Sequence, residues 1–89
     1  MKQEIKKRAL RRLKILEGQV RGLQKMVEDE IYCVDIITQS TAIKSALSGF
    51  EDLMLENHLT THVVEHVKHG KAQQAVEEVL SVYKLAKKK

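Results

Sequence analysis

Five side chains of this 89-residue sequence, one cysteine and four histidines, are able to hold a soft metal ion. His58 and His62, in His58-Leu59-Thr60-Thr61-His62, stand four residues apart. On a helix that spacing puts both rings on one face, about 6 Å from each other, which is how a helix presents two imidazoles to one ion. Cys33 is the natural third ligand but lies 25 residues upstream of His58. At about 1.5 Å per residue the separation along a helix is about 37 Å, so thiol and imidazoles cannot meet within one chain. They can meet when two copies of the helix lie antiparallel, Cys33 of one beside His58 and His62 of the other. A thiolate with two imidazoles is a soft, low-coordinate set that suits Cu(I), admits Zn(II) and disfavours harder ions. Taken alone, the histidine pair is equally an exposed polar stripe, continued by His66 and His69, and Cys33 is equally a small buried hydrophobe. The symmetric placement of the single thiol is what favours metal ligation.

The element that must position these residues runs from Ile31 to Lys68 without a Pro, which predicts one long central helix. Midway between Cys33 and the histidine pair, Ala42, Ser45, Ala46 and Gly49 form a stripe of small residues where two helix backbones can cross closely. An interior Gly costs roughly 1 kcal/mol relative to Ala, so helix propensity does not account for Gly49. Upstream, Ala9, Leu13, Leu16, Val20, Leu23 and Val27 recur at alternating spacings of four and three, a heptad-like seam on a first helix from Lys2 to about Glu28. Glu28-Asp29-Glu30 is an acidic break that places negative charge at the start of the second helix. Ile36, Ile37, Ile43, Leu47, Phe50, Leu53 and Met54 are expected to pack inward. Gly70 can end the long helix after His69, and a third helix follows from about Ala72 to Leu85. Its apolar residues are Ala75, Val79, Leu80, Val82 and Tyr83, and Lys87 to Lys89 form a charged tail. The expected fold class is all-α, one domain over residues 1–89.

A domain this small has little core of its own and often gains stability by oligomerising. No apolar run approaches 18 residues, so no membrane span is expected. The opening Met1-Lys2-Gln3-Glu4 lacks the apolar stretch of a signal peptide, and a lone free thiol belongs in a reducing compartment, so the expected location is the cytoplasm. There is no Gly-rich phosphate loop and no convergent set of acid and base groups, which makes an enzyme the least expected class. Residues 1–27 carry nine bases against two acids, while the rest carry seven against ten. Lys7, Arg11, Lys14, Arg21 and Lys25 follow the helical spacing on a face of their own. With so few acids among them, i,i+4 salt bridges do not explain the run, and it reads as an electrostatic footprint for nucleic acid.

On four stretches the chain resembles the CsoR family of bacterial metal-sensing repressors, over nearly its whole length. These are Arg12-Leu13-Lys14 with Gly18-Gln19-Val20-Arg21-Gly22, then Tyr32-Cys33, Asn57-His58-Leu59 and Glu77-Glu78. The resemblance implies a three-helix protomer, an antiparallel homodimer and a disc-shaped homotetramer that binds operator double-stranded DNA when metal-free and leaves it on metal binding. By position, Cys33, His58 and His62 correspond to the family's metal ligands. Tyr32 and Glu78 match an outer pair that links the third helix to the metal-bound histidine. Arg12 matches a DNA-contacting position, with Lys14, Arg21 and Lys44 as companions on a basic face rather than an inserted recognition helix. Gly49 stands where some members carry a base. Most copper-sensing members have Cys in place of His62, though some have His. The nickel- and cobalt-sensing branch adds a His near the N-terminus, which Met1 to Arg8 lacks. The formaldehyde-sensing branch lacks the second helical His and uses an N-terminal Pro, and the persulfide-sensing branch needs a second Cys. The expected ion is therefore Cu(I), with Zn(II) or Ni(II) as alternatives.

Overall fold

The protein, as a computed structural model, is described over residues 1–87, with α1 (Gln3–Glu28), α2 (Cys33–His58), a π-helical turn (Leu59–Val63), α3 (Val64–Lys68) and α4 (Ala72–Lys87). Leu59 and Val64, which flank the junctions, keep right-handed helical angles, so α2, the π turn and α3 form one continuous rod. The protomer is thus three helical rods, with no strand among the described residues. The central rod begins at Cys33 rather than Ile31, because Tyr32 is extended and serves as its N-cap. The charged tail expected at the C-terminus ends in Lys88 and Lys89, which lie outside the described residues.

Both connections use the same device. After α1, Glu30 takes a left-handed φ of 52°, its N–H donates to the Val27 carbonyl at 3.1 Å, and the Ile31 N–H donates to the Met26 carbonyl at 3.0 Å. After α3, Gly70 has φ 74°, its N–H reaches the Val67 carbonyl at 3.2 Å, and the Lys71 N–H reaches the His66 carbonyl at 2.7 Å. These are Schellman closures, which satisfy the last carbonyls of a helix and turn the chain back. Gly70 adopts the conformation without penalty, whereas Glu30 does so against its Cβ. The acidic break also acts differently from expectation, since Asp29 pairs with Lys25 at 3.0 Å in the last turn of α1.

α1 lies antiparallel against α2. Ile5 and Ala9 are buried with Leu53, and Phe50 and Met54 pack on that cluster. Two polar contacts follow the same register: the Lys2 N–H donates to Asn57 Oδ1 at 3.3 Å, and Arg8 Nη1 lies 3.9 Å from Glu56 Oε2. Leu16 completes the buried line of α1, with Gln19, Leu23 and Met26 half-buried beyond it. The heptad-like seam is therefore divided. Its Ala9, Leu16 and Leu23 edge faces α2, while Leu13, Val20 and Val27 stay exposed. Ile37 and Leu47, expected inside, also point outward from the single chain, as do Leu80, Val82 and Tyr83 of α4. One protomer cannot cover them because three rods of this length enclose only a narrow core. Its radius of gyration is 17.2 Å, against about 12 Å for a compact chain of this size.

Candidate metal centre

His58 closes α2, and His62 lies inside the π turn. Their ring centroids are 5.2 Å apart with the planes tilted by 48°. The local sequence explains the widened turn. Thr60 donates its hydroxyl to the Glu56 carbonyl at 2.9 Å and the Asn57 carbonyl at 3.3 Å, and Thr61 donates to the Asn57 carbonyl at 2.6 Å. A Thr hydroxyl bonded back onto a carbonyl three or four residues earlier competes with the main-chain ladder and bends a helix. Two in succession occur where the ladder here shifts to i+5 bonding, a form often found at functional sites. The adjacent Thr-Thr between the histidines is the sequence signal for it, and spacing arguments that assume an ideal helix pass over it.

α4 returns beside this turn, with Ala75 fully buried at the contact and Glu78 one turn further on. Glu78 Oε1 lies 2.9 Å from His58 Nε2, an ion-pair distance without hydrogen-bond alignment. An open groove between the rod and α4 is lined by Phe50, Met54, Leu55, His58, Glu78 and Val82. His62 and Cys33 are both exposed, and Cys33 is a free thiol at the first position of α2. Tyr32, immediately before it, is exposed as well. The chain thus sets His62 and Glu78 each beside His58 and leaves Cys33 and Tyr32 at the other end of the rod. Among the described residues no three Cys, His, Asp or Glu side chains converge in one chain on a point that could hold an ion. Two imidazoles 5.2 Å apart suit a shared ion about 2 Å from one nitrogen of each, so the histidine pair fits such an ion, while Cys33 of the same chain lies at the far end of the rod. Of the other histidines, His69 pairs with Glu65 at 2.8 Å, and His66 is half-buried with Nδ1 unpartnered.

The basic residues are mainly on the outside of the α1–α2 hairpin. Arg12, Lys14 and Lys44 are exposed, and none has an ion pair among the described residues. Arg12 lays its guanidinium over Gly49, where a Cβ would come within 2.9 Å of Nη1. The contact is with the end of a flexible side chain. Arg21 is different, since it pairs with Glu17 one turn before it. With Lys25 bound to Asp29, two members of the basic run are engaged in i,i+4 pairs, contrary to the expectation from net charge.

A helical rod with two imidazoles at one end and a thiol at the other finds its counterpart among known proteins. Residues 5–84 match the model of the metal-sensitive transcriptional repressors. The chain belongs to that family. Among the repressors it resembles, the copper-sensing transcriptional repressor CsoR of Bacillus subtilis strain 168 is 45% identical over 73 residues, covering 82% of this chain and 72% of that protein. The CsoR of Mycobacterium tuberculosis H37Rv is 39% identical over 79 residues, covering 89% of this chain and 66% of that protein. In three dimensions the chain is similar to the copper-sensing repressor CsoR with Cu(I) from Geobacillus thermodenitrificans NG80-2. That match has a TM-score of 0.87 and 40% identity, and covers 99% of this chain and 92% of that one. The three-rod protomer is thus the fold of a metal-sensitive repressor, and no helix among its described residues is long and apolar enough to cross a membrane.

Proposed function

We propose that this repressor is a cytoplasmic copper sensor, which holds operator double-stranded DNA when ion-free and lets go when Cu(I) is bound by Cys33 of one chain and His58 and His62 of a second. The observation that carries this reading is the arrangement of the central rod. Two imidazoles stand 5.2 Å apart beside Glu78, and the one thiol is exposed at the opposite end. An antiparallel pair of rods completes two such sites at once. The exposed apolar residues Leu13, Val20, Val27, Ile37 and Leu47 supply the surface for that pairing, and a pair of such dimers gives the homotetramer. Bound there, the ion supplies a soft bridge between two chains.

The chain's own residues do the rest. Glu78 Oε1 stands 2.9 Å from His58 Nε2, the position from which a carboxylate commonly orients a ligating histidine, and with Nε2 turned to it Nδ1 is left as the donor nitrogen. Because Glu78 is carried on α4, the orientation of His58 is tied to the position of that helix. Tyr32, beside the partner's histidine once two rods pair, joins the same network. Arg12, Lys14 and Lys44 neutralise DNA phosphates, with Arg21 contributing less because Glu17 already engages it. The ion and DNA affect each other's affinity by the same factor, commonly about 1–3 kcal/mol. The family role is regulation rather than catalysis, and the reading assigns no catalytic residue.

The test is an anaerobic titration with Cu(I), Zn(II) and Ni(II), with X-ray absorption on each complex and DNA binding followed in parallel. A three-coordinate Cu(I) site with one sulfur and two nitrogens, formed as DNA is lost and absent in Cys33→Ser, is the expected result. If Zn(II) or Ni(II) alone releases the DNA, copper is the wrong ion. Full release in Cys33→Ser would place the site elsewhere.

A further inference from the structure

Asn57 has a part in this protein beyond its place next to His58. It is 6% exposed and is the buried polar residue of the rod. Its side-chain Oδ1 accepts the N–H of Lys2, 55 positions away, at the first residue before α1. Its main-chain carbonyl accepts the hydroxyls of both Thr60 and Thr61, which hold the π turn between His58 and His62. One residue therefore grips the start of the basic helix with its side chain and the histidine turn with its backbone. Glu56, next to it, repeats the pattern: its carbonyl takes Thr60 and its carboxylate faces Arg8 of α1.

We propose that Asn57 is the positioning residue through which the state of the histidine turn reaches α1 and the DNA-contacting arginines. The proposal rests on the copper-sensor reading above. Any rearrangement that re-aims His58 and His62 must move the carbonyls to which Thr60 and Thr61 are bonded. The side-chain amide of Asn57 is two rotatable bonds from one of them and is restrained by burial, so the first turn of α1 is displaced with it. Buried polar groups keep their partners because an unpaired one is costly, so Lys2 follows rather than lets go. Arg8, Arg11 and Arg12 ride on the two turns that come next.

The experiment compares wild type, Asn57→Ala and Asn57→Asp on a duplex selected by the ion-free protein from a random pool, with and without anaerobic Cu(I). The quantity read is the ratio of the two DNA dissociation constants. In wild type a ratio within the usual 5- to 150-fold range of coupled sites is expected. Asn57→Ala should bind one Cu(I) per chain as wild type does, and hold DNA when ion-free within a few-fold of wild type, with the ratio reduced to under about 3-fold. Asn57→Asp keeps an oxygen acceptor for the Lys2 N–H and should restore most of the ratio. A purely structural role would lower both DNA affinities together and leave the ratio intact, which overturns the proposal. If Asn57→Ala is too unstable to assay, amide exchange at Lys2 to Lys6 in the wild type decides: protection there must change on Cu(I) addition, and no change refutes the link. A wild type whose DNA affinity ignores Cu(I) brings down the copper-sensor reading and this proposal with it. A responsive wild type with an equally responsive Asn57→Ala brings down this proposal alone.

Discussion

Replacing Gly49 with Ala should stabilise the protein by about 0.5–1 kcal/mol. An interior helical Gly costs roughly 1 kcal/mol relative to Ala, through backbone entropy lost on folding. Against that stands only the space the new methyl would take. A Cβ at Gly49 meets Arg12 Nη1 at 2.9 Å and Arg12 Cζ at 3.7 Å, and nothing else beyond its own helix within 4 Å. Both atoms belong to the tip of an exposed, flexible side chain, so the guanidinium swings aside and the α1–α2 spacing is kept. For a domain of this size 1 kcal/mol corresponds to about 4–8 °C, so Tm should rise by about 2–8 °C. Thermal melts followed by circular dichroism, at two matched protein concentrations, measure it. The concentrations matter because association contributes to apparent stability. A lower Tm that falls further on dilution would refute the reasoning. It would mean that the small stripe Ala42, Ser45, Ala46 and Gly49 is a crossing between two chains with no room for a methyl.

Three further outcomes follow from the same geometry. Glu30→Gly removes a side chain from a left-handed position and should add about 0.5–1 kcal/mol, read as a higher denaturation midpoint with an unchanged m-value. Leu53→Ala empties the centre of the Ile5–Ala9–Leu53 cluster and should cost about 2–5 kcal/mol, enough to leave a domain this small largely unfolded in a urea titration. In salt-dependent DNA binding, Arg12→Ala and Lys14→Ala should each reduce the slope of log K against log salt by about one, and Arg21→Ala by clearly less. Equal effects of Arg12→Ala and Arg21→Ala would show that the Glu17 pair is broken on DNA.

The three helices and most of their ends were legible because hydrophobic spacing, the Gly at position 70 and the unbroken run between Ile31 and Lys68 report on local structure, which a single chain decides. The pairing of His58 with His62 was legible for the same reason, since four residues on a helix always share a face. The π turn was not, because Thr is neutral in spacing arguments and its effect depends on whether the hydroxyl bonds back to a carbonyl. Nor was the division of the α1 seam. Leu13 and Leu16 satisfy the same heptad pattern, and only the angle at which α2 docks decides that Leu16 is buried and Leu13 left open. The ion pairs Arg21–Glu17 and Lys25–Asp29 were visible in the spacing, but a count of net charge over the segment hid them. Glu30 shows the limit most sharply, because a left-handed Glu has no compositional signature of its own.

The position of the two half-sites relative to α1 gives the separation of Cys33 from His58 a consequence beyond stoichiometry. Because α1 lies antiparallel on the rod, its last turn leads through the Glu30 closure directly to Cys33, and its first residues sit on Asn57 beside His58. Each proposed half-site therefore adjoins one end of α1, which holds eight of the sixteen Lys and Arg residues. In the proposed antiparallel pair, an ion shared by two chains would load the C-terminal end of one basic helix and the N-terminal end of its neighbour. With two such sites per pair, both ends of both helices would be loaded together. A site closed within one chain would act at a single end and could relax by fraying it. In the proposed arrangement, splitting the donors across about 37 Å of the rod removes that escape, so ligation would be answered by a change in how the two basic helices are placed, a property that a face binding DNA phosphates would sense.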